Sequence, residues 1–363
     1  MTEIFAKPSQ VKNIVKNLIK TRRAIFLWGP PGIGKSSVVN QVSEELGYGF
    51  LDVRLSQMSI GDIAGIPFLK DDNQEKIVSW AEPEFLRVLK IMCKEKGGAI
   101  LLLDELNSAL PVVLSSAYQL ILDRKIGQHC LPDEVIVIAA GNNESDKGVT
   151  FKMPTPLLNR FIHLNVTVDF EDFNKYAVEK NFHYLVLGYL QENKNDLFQF
   201  DPKSGEKAFP TPRSWEFTSD ILYAFSDKNG HISLDTEEIQ LAVSGTIGSG
   251  VATKFLVYMK KYEKIPRIMD ILTGKVKKYE FEDLSLIYSL IHNIGFELKR
   301  RNKEKEYQEY ISNAMNFIVD NVPPEFIIVG VRVINISYNV KIDMKSDYWN
   351  KLKTKHGNLI MEI

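Results

Sequence analysis

Apolar residues in the first half of the chain gather into short runs with amphipathic stretches between them. Five runs stand out: Ala24–Trp28, Phe50–Val53, Ala99–Leu103, Val135–Ala139 and Phe161–Val166. Each is bounded by glycine, proline or asparagine and has the length of a strand. Their near-continuous apolar character fits strands buried on both faces, as in parallel sheets. Ahead of the first run, Val11, Ile14, Val15, Leu18 and Ile19 recur at helical spacing after a Pro8-Ser9 start. Helical patterns separate most of the later runs. The pattern predicts an α/β fold, a largely parallel sheet with helices on both faces.

Beyond about residue 170 the strand signals thin out. Phe173, Tyr176 and Ala177, and later Ile239, Ala242 and Val243, follow helical spacing. The polar, proline-containing segment Phe209–Arg213 opens a further helical stretch. Lys299–Glu306 alternates in charge sign, which predicts a solvated helix face. Val322-Pro323-Pro324 breaks the pattern. Phe326–Val340, rich in valine and isoleucine, fits a strand or a buried helix equally well. The expected organisation is an α/β core over 1–170, a helical domain over 171–270 and a mostly helical extension over 271–363. Neither an internal repeat nor a low-complexity tract is visible.

Composition narrows the function. With 363 residues, 45 Lys+Arg and 46 Asp+Glu, the net charge is −1. That excludes a protein whose whole surface binds nucleic acid and leaves a local basic groove open. The two cysteines, Cys93 and Cys130, exclude a disulfide scaffold and a cysteine-rich zinc site, and favour a reducing, cytoplasmic setting. The six histidines are scattered, without HExxH spacing. No apolar run approaches the roughly 18 residues of a membrane helix, and MTEIFAKPSQVKN lacks a signal-peptide pattern.

The sharpest motif is Gly29-Pro30-Pro31-Gly32-Ile33-Gly34-Lys35-Ser36, which fits G-x-x-x-x-G-K-[ST]. A strand-like run leads in and a helical stretch beginning at Ser37 leads out. The glycines let backbone N–H groups wrap a phosphate, and the helix N-terminus adds its positive dipole end. Lys35 is placed to bridge β- and γ-phosphates, and the Ser36 hydroxyl to coordinate Mg²⁺. A second motif, Ala99-Ile100-Leu101-Leu102-Leu103-Asp104-Glu105, carries two carboxylates at the C-terminal end of a buried strand, where ligands sit in such sheets. Asp104 is the candidate to hold Mg²⁺, directly or through water. Glu105 is the candidate to polarise the attacking water, a task that marks a hydrolase.

Together these motifs resemble those of AAA+ ATPases, and more narrowly of their MoxR-like branch. The resemblance extends through Arg54–Pro67, through a hairpin insertion at Phe68–Trp80 ahead of Pro83-Glu84-Phe85-Leu86, and through Leu103–Ala109 into Tyr118–Arg124. Ala139-Ala140-Gly141-Asn142-Asn143 resembles the sensor 1 strand end. Pro154–Phe161 resembles the arginine-finger segment, and Thr211–Trp215 resembles sensor 2. Residues 1–260 follow the family order, and the remainder matches only as a helical tail.

The resemblance implies a P-loop NTPase core with ATP and Mg²⁺ as cofactors, followed by an α-helical lid. It implies that Asn142 orients the attacking water and that Arg160 reaches a neighbouring subunit's γ-phosphate. Arg213 would come from the lid onto the phosphates of its own subunit, and Arg124 is a weaker candidate for a cross-subunit contact. A finger acting in trans requires head-to-tail assembly, and the family implies a hexamer. The implied function is a ring ATPase that remodels or matures a protein partner, in this branch usually a protein with a von Willebrand A domain. The hairpin at 68–80 is the candidate substrate-facing element. The alternative is a nucleic-acid motor or the GTPase subunit of a restriction system. For that reading Lys70, Lys76, Lys94 and Lys96 are the nearest basic residues, diluted by Asp71, Asp72, Glu75 and Glu95.

Two further strings resemble nucleotide motifs. Asn193-Lys194-Asn195-Asp196 fits the guanine-reading N-K-x-D, and Gly245–Gly250 resembles a second glycine-rich loop. Both fall in the helical half without a preceding strand; the first is expected to be a polar loop between helices, and the second a site of close helix packing or a loop between helices.

Overall fold

The structure, a computed structural model, describes residues 4–72, 75–146, 151–226 and 237–356. The chain divides into two compact units, Met1–Asp169 and Phe170–Ile363.

The first unit runs β1 (Phe5–Ala6), α1 (Pro8–Leu18), β2 (Ala24–Trp28), α2 (Lys35–Leu46), β3 (Gly49–Arg54) and α3 (Ile60–Ala64). It continues with β4 (Pro67–Asp72), β5 (Glu75–Trp80), α4 (Glu84–Lys96), β6 (Ala99–Asp104) and α5 (Pro111–Asp123). Last come β7 (Lys125–Ile126), β8 (His129–Cys130), β9 (Val135–Gly141), α6 (Thr155–Leu158) and β10 (Phe161–Val166). Six strands form one parallel sheet in the order β1-β10-β2-β9-β6-β3. The five apolar runs became its long strands, and the edge pair Phe5–Ala6 is an addition too short to leave a pattern. Phe26, Leu101, Leu103, Val137 and Ala139 point into a core closed by Ile63, Leu86, Leu89, Leu114 and Ala117 from α3, α4 and α5. The alternating residues Ile25, Leu27, Ile100 and Leu102 are equally buried and face the other side. There α1 and α2 pack against each other, and α2 packs on β3, β6 and β9. Each such aliphatic side chain contributes about 1.5–3 kcal/mol on burial.

Two small antiparallel hairpins extend from this core, β4–β5 and β7–β8. On the first, Phe68, Leu69, Ile77, Val78 and Trp80 are exposed. Its turn at 73–74 lies outside the described residues. Gln128 and His129 of the second hairpin bond to the Trp80 carbonyl of the first at 3.1 and 3.0 Å.

The second unit is helical where it is described. It contains α7 (Phe170–Glu179), α8 (Tyr184–Glu192), α9 (Pro212–Ala224), α10 (Glu237–Ile247) and α11 (Ser249–Tyr262). α12 (Ile268–Leu272), α13 (Ile287–Arg300), α14 (Tyr307–Asn321), α15 (Pro324–Arg332) and α16 (Asp347–His356) follow. α8 is buried on every side from Leu185 to Leu190, so it is the central helix of this unit. It crosses α13 so closely that a Cβ on Gly188 would lie 2.0 Å from Ser289 Oγ. Contacts of α12 with α13 and α14 tie residues on both sides of 270 into the same unit.

Two expectations change here. Lys299–Glu306 is no helix face: α13 ends at Arg300, and Arg301 pairs with Glu297 and Glu304 at 3.2 and 2.7 Å. A run of charged side chains that bond within their own turn does not need a continuing helix. Phe326–Val340 resolves as helix, α15 followed by one π-helical turn over Val333–Ser337. Pro324 starts it, and Ile327, Ile328, Val331 and Ile334 are buried at helical spacing.

The two decoy strings turn into packing. Asp196 is 4% exposed and accepts from Tyr189 Oη at 2.6 Å and from Gln199 at 2.7 Å. Its carbonyl accepts from the Trp215 indole at 2.9 Å. In the glycine string, Gly248 takes φ +77° ahead of α11, and a Cβ there would meet the Ala208 carbonyl at 2.7 Å.

Candidate functional site

The site of the first unit forms where β2, β6 and β9 end. The register places Trp28 beside Gly141, and Leu103 beside Ala139, so three chain segments leave the sheet side by side. After β2 the chain turns through Gly29-Pro30-Pro31-Gly32-Ile33-Gly34 into α2. Gly34 is the residue before the helix and takes φ +90°, a left-handed conformation suited to glycine. Gly29 is needed for a second reason, because a Cβ there would meet the Val166 carbonyl at 2.9 Å. Ser36 and Ser37 lie in the first turn of α2, whose N–H groups have no helical partners.

Lys35 is 9% exposed, and its Nζ donates to the carbonyls of Gly29 and Pro30 at 2.6 and 3.0 Å and to Asn142 Oδ1 at 3.2 Å. The lysine is thus folded under the loop beside the end of β9. Ser36 Oγ donates to Asp104 Oδ2 at 2.8 Å. A hydroxyl and a carboxylate oxygen at that spacing fit Mg²⁺, a hard cation that takes a few protein oxygens and completes its shell with phosphate and water. Among the described residues no group of three or more His, Cys, Asp and Glu could hold a metal alone.

Glu105, next in the chain, has φ +54°. A left-handed glutamate carries strain of about 1–3 kcal/mol, and such outliers gather at functional sites. The strained turn aims its carboxylate at Ser56, whose Oγ donates at 2.8 Å. Asp52, on the neighbouring strand, is held above the usual carboxylate range by burial and then by the charges of Asp104 and Glu105. Arg54, on the same strand, opposes that rise.

Asn142 follows β9. Its carbonyl accepts from Asn107 Nδ2 at 2.8 Å, and Asn107 is itself 2% exposed. A Cβ on Gly141 would lie 2.4 Å from Asn107 Oδ1, so this glycine is what admits the buttress. Ser56 and Asn107 are the residues whose positions sequence reasoning missed. The signal for both is register, which brings the ends of distant strands together and leaves no local spacing.

The structure thus brings Gly29–Ser37, Asp104, Glu105 and Asn142 into one cluster. Arg160 is not in it. It is exposed and precedes β10, at the opposite end of the strands from the loop. Phe161 pairs with Ala24, five residues before Gly29, which is roughly 16 Å along the strand. Arg213 lies in the second unit, exposed in the first turn of α9. The helix start there is capped by Thr211, whose Oγ1 accepts from Ser214 N at 3.0 Å. Arg124 turns inward: its Nη2 donates to the carbonyls of Pro132 and Val135, both at 2.7 Å. Burial pushes its pKa down, and the two carbonyl bonds make it a brace between α5 and β9.

Residues 25–167 match the family described as ATPase family associated with various cellular activities (AAA). This segment includes the loop between β2 and α2. Over 172 residues the chain is 31% identical to Midasin of Giardia intestinalis, covering 45% of this chain and 3% of that protein. A 44-residue stretch is 43% identical to the replication factor C large subunit of Pyrobaculum calidifontis, covering 12% of this chain and 10% of that protein. The chain therefore spans a small fraction of either relative. Two solved structures are similar at 14% identity and a TM-score of 0.34: a putative ATPase from Cytophaga hutchinsonii, covering 89% of this chain and 79% of that one, and a RuvB mutant from Thermotoga maritima, covering 86% and 89%. At that score neither likeness bears on the function. Among the described residues no helix is long and apolar enough to cross a membrane.

Proposed function

We propose that the chain is a MoxR-like AAA+ ATPase that hydrolyses ATP in a ring, a hexamer in this reading, and uses the cycle to remodel a protein partner. The observation that carries the reading is the junction of Lys35, Ser36, Asp104, Glu105 and Asn142 at the strand ends. In this reading the loop N–H groups and Lys35 bind the phosphates. Ser36 and Asp104 hold Mg²⁺, which supplies charge neutralisation when bound. Glu105 accepts a proton from the attacking water, and Asn142, fixed by Asn107, orients that water.

The position of Arg160 supports action in trans. It sits too far from its own loop to reach it, yet it is exposed and available to a neighbour. Such a finger is worth about 10³ to 10⁵ in rate where measured in phosphoryl transfer. Residues 171–270 serve as the lid bringing Arg213 to the phosphates, and 271–363 as an extension of it. The exposed apolar residues of β4–β5 make that hairpin the substrate-facing element. A partner with a von Willebrand A domain belongs to the same proposal.

Two experiments test it. The Glu105→Gln protein should shift from its 41.4 kDa chain mass to a ring-sized species when ATP and Mg²⁺ are added; a monomer under both conditions contradicts the ring. Mixing Arg160→Ala with Glu105→Gln should restore turnover that neither shows alone, because each supplies what the other lacks. No restoration rejects a finger in trans.

A further inference from the structure

The Trp28 indole Nε1 donates to His163 Nδ1 at 2.9 Å, and His163 Nε2 meets the Leu158 carbonyl at 2.8 Å. A carbonyl only accepts, so Nε2 carries the proton and Nδ1 is the acceptor. Both ring nitrogens are therefore engaged, Nδ1 as acceptor and Nε2 as donor. The ring is also fixed in plane. Phe26 and Trp28 stack with centroids 3.9 Å apart, Phe161 meets Phe26 edge-on at 5.3 Å, and His163 lies 6.1 Å from both Phe26 and Trp28.

The two ends of this chain of contacts matter. Trp28 is the residue before Gly29, where the phosphate loop starts. Leu158 ends the four-residue α6, two residues before Arg160. Its carbonyl is one of the last in that helix, where partners outside the helix are needed. The backbone around it is already tight: Asn159 N donates to Thr155 O at 3.0 Å and Arg160 N to Leu157 O at 3.0 Å. His163 supplies the remaining tie and makes it to the strand that carries the phosphate loop.

We propose that His163 is a positioning residue for Arg160, and that Trp28, His163 and the Leu158 carbonyl form a relay from the phosphate loop of one subunit to the finger it presents to its neighbour. A shift of Gly29 on nucleotide binding moves Trp28, and the rigid imidazole carries that movement across the sheet to the last turn of α6. The occupancy of one site thereby sets the finger of the next. The inference rests on the reading of Arg160 as a finger in trans, and the test separates the two.

Arg160→Ala is mixed with Glu105→Gln, and the restored turnover is the reference. His163→Phe is then added to one partner or the other; it keeps a flat ring in the stack and removes both hydrogen bonds. On the Glu105→Gln subunit, which supplies the finger, it should lower restored turnover about three- to tenfold, the weight of one or two hydrogen bonds. On the Arg160→Ala subunit, which supplies the active site, it should change nothing. His163→Gln, with an amide that both accepts and donates, should recover most of the loss. Trp28→Phe on the finger subunit should match His163→Phe, and it carries the test if His163→Phe does not fold. Nucleotide affinity should stay within twofold throughout. A loss that follows the active-site subunit, or no loss on either, overturns the relay while leaving the finger standing. No restored turnover in the reference mixture rejects the finger itself, and the relay falls with it for want of an output.

Discussion

The two units bury polar groups for opposite ends. In the second, polar side chains are consumed by packing. Asp196 is bonded by Tyr189 and Gln199, Ser289 by Tyr258, Asn293 by Tyr262, and His292 by Tyr338. In the first, polar groups converge where strands end, and some are left poised. Glu105 is strained, Lys35 is folded against its own loop carbonyls, and Asn107 Oδ1 is buried without a hydrogen-bond partner among the described residues. A polar network that is complete specifies a fold. One that is incomplete at a strand end is ready for a ligand.

The comparison breaks most readily at Asp196. If it is a structural hub, Asp196→Ala should cost about 3 kcal/mol, because the Tyr189 hydroxyl and the Gln199 amide lose a buried acceptor. Chemical denaturation reads this directly, and unchanged stability would mean the string Asn193–Asp196 serves something else. Next in size is the α8–α13 crossing. Gly188→Val should cost on the order of 2–3 kcal/mol through overpacking against Ser289, with the melting temperature as readout.

A graded effect separates the units by pH. Burial pushes the pKa of His183 down to about 3 and of His292 down to about 4. Unfolded, each titrates near its ordinary value of about 6.5, so the unfolded chain binds more protons below that pH. Stability from these groups is therefore complete above about pH 6.5 and falls as pH drops toward 4, by about 1.4 kcal/mol per pH unit for each histidine. Denaturation of the double variant His183→Asn, His292→Gln should show a flatter profile between pH 6.5 and 5. A slope equal to that of the wild type would contradict the buried neutral assignment.

The smallest expected change sharpens the first unit. Ser56→Ala releases the Glu105 carboxylate, which should raise basal ATP turnover a few-fold with nucleotide affinity unchanged. A fall in turnover would make Ser56 part of the productive arrangement.

How much of this was legible depended on distance along the chain. The fold class was readable because strands buried on both faces leave continuous apolar runs, and Leu101 or Ile138 look buried in the sequence as they are in the structure. The turn at Gly29–Ser36 was readable because eight adjacent residues carry the whole motif, and it folds between β2 and α2 as expected. Ser56, Asn107 and the Trp28–His163 pair were not, since each depends on the register of strands that are far apart in sequence. The inward turn of Arg124 was not legible either, because its partners are backbone carbonyls, which leave no trace in residue identity. The Lys299–Glu306 run failed for a related reason: alternating charge fits a turn laced by its own side chains as well as a helix face.

The most direct test of the first unit's site is turnover and binding measured together on Glu105→Gln and Lys35→Ala. Glu105→Gln should bind ATP as the wild type does and lose turnover by at least about a hundredfold, while Lys35→Ala should lose binding itself. Unchanged hydrolysis in Glu105→Gln would contradict the account at its centre.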